Sequence, residues 1–151
     1  AYFVFYTDSL DASNGLLGAM VIKTAIGKVN LDFGKAVVLG IMCNWLVCLA
    51  VWMATGAQAT VSKIFASFFI ILPFVIGGFE HCVANMYFIP AGIITNMITG
   101  GEAVAGLDWI GMWTNNIIWA TLGNIVGAVI FMAIVYYFCY KSEICALCEV
   151  K

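Results

Sequence analysis

Apolar residues along this chain gather into runs far longer than a soluble core element needs, separated by short polar stretches. Residues 36–54 hold no charge, and neither do residues 110–140. Between them, residues 63–94 make a run longer than the roughly 20 residues that cross a bilayer. The pattern predicts spanning helices over 36–54 and 110–140. Over 63–94 it predicts a helix, a re-entrant or looped centre, and a second half-helix. Residues 1–7 read as the end of a helix. Residues 8–35 read as a polar turn (Asp8 to Gly15) followed by a short helix (Leu16 to Ile26) near the membrane surface. Residues 95–109 form a glycine-rich loop made acidic by Glu102 and Asp108, and residues 141–151 a short polar tail.

The middle run carries the chemistry. It contains both prolines, Pro73 and Pro90, the pair Gly77-Gly78, and then Glu80 and the only histidine, His81. Proline lacks an N–H and clashes with the preceding helical turn. Glycine lowers the cost of leaving helical geometry. A helix break is therefore expected just before an acid and an imidazole. Ionisable groups at membrane depth are costly and mark function. Irregular backbone there survives only when it is buried in protein or lines a cavity. A helix restarting after the break points free N–H groups and a partial positive charge into that cavity. The physical reading is an anion site with a protonatable histidine at its centre.

Composition narrows the class further. The chain has 151 residues, 64% hydrophobic and 9% charged, with a mean hydropathy of +1.06. That is a polytopic membrane protein, all-α in fold class. Net charge is −2 with no basic stripe, so no nucleic-acid partner is implied. Ala1 to Thr7 reads as a helix whose start is missing, so the chain is expected to be the C-terminal part of a longer protein. Lys63, Lys141 and Lys151 fall on one side of the membrane and Lys23, Lys28 and Lys35 on the other, so charge does not orient it. Cys145 and Cys148 form a lone C-x-x-C, either a redox or metal pair or plain reduced thiols. No second pair completes a zinc site. No cofactor is called for. Gly123 and Gly127 form a G-x-x-x-G, which either packs helices closely or reflects how common glycine is in membrane helices.

Three motifs carry a resemblance. Residues 78–90, G-F-E-H-C-V-A-N-M-Y-F-I-P, resemble the signature of the formate/nitrite transporter family. Residues 40–53, G-I-M-C-N-W-L-V-C-L-A-V-W-M, resemble its fourth helix, and residues 121–127, T-L-G-N-I-V-G, its last. The resemblance implies an aquaporin-like six-helix fold of inverted three-helix repeats, of which this chain is mainly the second. It implies a homopentamer with one pore per protomer, which moves small monovalent anions such as formate, nitrite or hydrosulfide. It places the chain in a plasma or bacterial inner membrane with a cytoplasmic C-terminus. The other interrupted helix would lie in the missing N-terminal half, without which this chain cannot close a pore.

Residue by residue, the resemblance makes His81 the central pore histidine and Phe74 a cytoplasmic constriction. Imidazole exchanges its proton near neutral pH, which suits the role; the alternative is a neutral core histidine. Phe74 lies seven residues earlier, but the Gly-Gly pair interrupts that face, and a core or lipid-facing phenylalanine stays open. Asn85, four residues after His81, shares its face if the second half-helix is regular. Asn44 and Glu80 are candidates for the same polar network, as pore or as scaffold, with Glu80 expected to accept freed backbone N–H groups. Lys28 aligns with a family lysine that raises the anion concentration at a vestibule; the alternative is a snorkelling interface lysine. Two other functions compete. A haem-bearing membrane anchor of a quinone oxidoreductase needs two axial histidines, and the chain has one. A neutral-solute aquaporin-like facilitator uses paired N-P-A motifs, and neither proline lies in one.

Overall fold

The computed structural model describes residues 15–149, apart from the side chains of residues 144 and 146–149. The expected helix end at residues 1–7, the turn beginning at Asp8 and the Cys148 side chain lie outside the described residues. Helices make up the fold, and among the described residues there is no strand. Helix α1 is Leu16–Val29, α2 is Phe33–Gly56, α3 is Thr60–Ile76 and α4 is Cys82–Ile98. Helix α5 runs unbroken over residues 109–149, with π-helical turns at Met112–Ile117 and Val129–Ile134.

Local chemistry sets the boundaries. Asp32 caps α2, its Oδ1 accepting from the Gly34 and Lys35 N–H groups at 3.0 and 3.2 Å. Such a cap satisfies orphan donors of the first turn, so the helix starts at Phe33 rather than at residue 36. Asp108 does the same for α5, accepting from Gly111 N–H at 2.6 Å. Nothing between Ser142 and Glu149 breaks a helix, so α5 continues through the residues expected as a tail.

Phe33–Gly56 and Trp109–Glu143 are long and apolar enough to cross a membrane. Helices α3 and α4, 17 residues each, are about 25 Å long. Each is shorter than the roughly 30 Å hydrocarbon core. Neither proline is where a helix ends: Pro73 lies inside α3 and Pro90 inside α4. The chain leaves helical geometry after Gly77, and Gly78 adopts φ +62°. That left-handed turn costs a residue with a Cβ about 1–2 kcal/mol and glycine nothing.

Three packings hold the elements. Helix α5 lies against α2. A Cβ on Gly123 would collide with Val37 C=O, and one on Gly127 with Ile41 C=O, while Gly40 faces Gly123. The G-x-x-x-G is thus a close helix contact. Helix α1 lies against α4, where Ala25 leaves no room for a Cβ on Gly92. Ala25, Val29, Ile89, Ile93, Leu107, Met112 and Ile117 form the core there. Helix α3 packs on α2 and buries none of its residues. Phe65, Phe68 and Phe69 on it are each more than half exposed.

Candidate functional site

Residues 77–81 interrupt the helical run between α3 and α4, leaving backbone groups with no helical partner. Asn124 of α5 supplies one. Its Oδ1 accepts from Cys82 N–H at 3.2 Å, and its Nδ2 donates to Glu80 C=O at 2.8 Å and to Gly40 C=O at 3.0 Å. One amide thus splints the break to α2. The glycines at 40 and 123 let the helices come close enough for that reach. Asn44 Nδ2 donates to the Asn124 backbone C=O at 2.8 Å.

Glu80 is 2% exposed. Its Oε1 accepts from Lys28 Nζ at 2.5 Å. Its Oε2 accepts from Asn85 Nδ2 at 2.6 Å and Asn116 Nδ2 at 3.1 Å. Asn85 Nδ2 also donates to Asn116 Oδ1 at 2.7 Å, and Asn116 Nδ2 to Lys28 C=O at 3.0 Å. A buried carboxylate is tolerable only when paired and hydrogen-bonded, and this one has an ammonium and two amides. The expectation that Glu80 accepts freed backbone N–H groups is corrected. Its acceptors are filled by side chains, and the freed N–H of Cys82 goes to Asn124.

Lys23, Lys28 and Glu80 line an open cleft of about 510 Å³ with Met20, Thr24 and Gly27. His81 occupies the N-cap position of α4 in extended backbone geometry, and its side chain does not cap the helix. Its C=O accepts from Asn85 N–H at 2.9 Å. Its imidazole stands edge-on to Phe74, centroids 6.1 Å apart at 72°. Phe74 also lies 6.4 Å from Phe79. The Nδ1 atom of His81 is buried without a hydrogen-bond partner among the described residues.

The six expected residues therefore fall into two groups and a satellite. Lys28, Glu80 and Asn85 form one bonded cluster. Phe74 and His81 meet across the break, which the interrupted face did not allow to be inferred. Among the described residues, Asn44 reaches the cluster through Asn124. Asn116 and Asn124, both buried, were not picked out as site residues. Their spacing of eight residues in an uncharged helix, which puts both on one face, was the available signal.

Residues 1–138 match the family described as formate/nitrite transporter. The chain is 38% identical over 143 residues to a Bacillus subtilis (strain 168) protein named uncharacterized transporter YrhG, covering 95% of this chain and 50% of that protein. It is 36% identical over 141 residues to the formate channel FocA of Escherichia coli (strain K12), covering 87% and 50%. A solved structure titled pentameric formate channel with formate bound aligns with TM-score 0.82 and 34% identity, over 92% of this chain and 58% of that one. The chain spans about half the length of the curated relatives it matches. The all-helical fold is thus that of the solved channels, as the motifs implied, and the protein is a membrane protein. A carboxylate–ammonium–amide cluster beside an interrupted helix stands on a chain that belongs to the formate/nitrite transporter family.

Proposed function

We propose that this chain is the histidine-bearing part of a channel that passes small monovalent weak-acid anions, with formate, nitrite and hydrosulfide as the candidate cargo. The observation that carries the reading is His81. It stands where an interrupted helix restarts, edge-on to Phe74, with Nδ1 buried and without a partner among the described residues. Such a nitrogen is a ready partner for a passing solute, since buried polar atoms seek hydrogen bonds. The relatives support the substrate class and the assembly: FocA is a formate channel by name, and the structural neighbour is pentameric with formate bound.

In this reading an anion collects at the cleft beside Lys23 and Lys28. It loses water at the Phe74 ring and meets His81. Imidazolium passes its proton to the anion, which leaves as the neutral acid; the imidazole then regains a proton from water. Glu80, Asn85 and the asparagines of α2 and α5 keep the break in shape. The working unit is a homopentamer of full-length protomers in a plasma or bacterial inner membrane, with α5 ending on the cytoplasmic side. The second interrupted helix comes from the rest of the protein.

Flux in proteoliposomes of the full-length protein tests this. Wild type should pass formate, nitrite or hydrosulfide with a pH dependence that His81→Phe flattens. Equal pH profiles in the two proteins would refute the role given to His81.

A further inference from the structure

Asn116 makes three side-chain hydrogen bonds in the buried cluster, as many as the Glu80 carboxylate itself. It is fully buried, donates from Nδ2 to both Lys28 C=O and Glu80 Oε2, and accepts from Asn85 at Oδ1. Its position depends on the π turn at Met112–Ile117. The buried pairs Gly111–Asn116 and Met112–Ile117 are five residues apart, whereas Ala120, Gly123, Asn124 and Gly127 follow ordinary helical spacing. Five residues of regular α-helix would turn Asn116 roughly 140° away from Gly111. An i→i+5 turn returns it to the same face.

We propose that Asn116 is a positioning residue. Through the π turn it locks the end of α1 to the Glu80 carboxylate, so that the Lys28 ammonium folds back onto Glu80 instead of standing free in the cleft. This rests on the anion-channel reading. One amide nitrogen spans the Lys28 main chain and the carboxylate that pairs the Lys28 side chain, so it fixes the distance over which that pairing occurs. Loosening it releases positive charge to the cleft and alters how strongly anions collect there. The titratable groups near the carboxylate are Lys28 on α1, paired to it, Lys23 on α1, lining the same cleft, and Cys43 on α2; the contacts from α5 are the amides of Asn116 and Asn124.

The deciding variant is Asn116→Asp in the full-length protein. It keeps the acceptor for Asn85 but sets a carboxyl against Glu80. Two carboxyls in contact cannot both ionise readily. Infrared spectra at neutral pH should then show a protonated-carboxyl band absent from wild type and lost again in Asn116→Asp/Glu80→Gln. Formate flux should show a half-saturation concentration shifted several-fold from wild type, with the shift shrinking on acidification. Absence of the band at neutral pH, or half-saturation equal to wild type at every pH, overturns the proposal. If Asn116→Asp does not assemble, Asn116→Ser, whose hydroxyl can serve only one of the two acceptors, must shift half-saturation in its place. If wild type passes no formate, the channel reading fails, and the infrared band alone still decides whether Asn116 touches Glu80 as described.

Discussion

Lys28 and Glu80 lie 52 residues apart in the chain and 2.5 Å apart in space. The pair is lopsided: the lysine side chain is 19% accessible and the glutamate 3%. Lys28 can swing into the cleft and be hydrated, whereas Glu80 cannot. Breaking a buried pair from one side costs about 3–5 kcal/mol. Lys28→Met should therefore destabilise the full-length protein more than Glu80→Gln does. Denaturation midpoints of both variants check this; a Glu80→Gln deficit equal to or larger than that of Lys28→Met would contradict it.

Asn124 is harder to replace than its neutral side chain suggests. It gives two hydrogen bonds to carbonyls and takes one from an N–H. Leaving a buried polar group unsatisfied costs about 1–3 kcal/mol each. Asn124→Leu strands three groups. Asn124→Asp keeps the bond from Cys82 but turns an acceptor toward two carbonyls. Both should lose several kcal/mol, read as thermal stability of the purified assembly. An aspartate variant within about 1 kcal/mol of wild type would argue against the splint.

How much of this was legible depends on the reach of each signal. Helices α2 and α5 follow from hydropathy, and the break from Gly77-Gly78, because those causes act within a few residues. Pro73 and Pro90 sit inside α3 and α4, so the break follows from the glycines rather than from a proline. The splint was not legible, since the partners of Asn124 stand 42 to 84 residues away. The π turns were hidden for a related reason. They show as five-residue gaps in a buried stripe, and the stripe is known only once α2 and α4 are in place against α5.

The glycine seam predicts a steric limit. The atoms facing Gly123 and Gly127 are backbone carbonyls of Val37 and Ile41, which cannot rotate aside. Overpacking of this kind costs about 1–3 kcal/mol or more. Gly127→Val should lower the melting temperature of the assembly, and Gly56→Val, where a Cβ meets open space, should lower it much less. Equal shifts for the two would mean that helix propensity, rather than contact, governs the loss.

Phe74 gives the sharpest test of what the break is for. The residue is half-buried, with its ring against His81 and Phe79. If the ring narrows the path to the imidazole, removing it widens that path without touching the bonded cluster of Glu80, because no hydrogen bond runs through it. Phe74→Ala should keep the fold, at a stability cost below the roughly 3–5 kcal/mol of a fully buried phenylalanine. It should raise flux of larger carboxylates, acetate and lactate, relative to formate. Phe74→Leu should fall between. A packing or lipid-facing phenylalanine would instead change stability and leave the ratio of acetate to formate flux where it was.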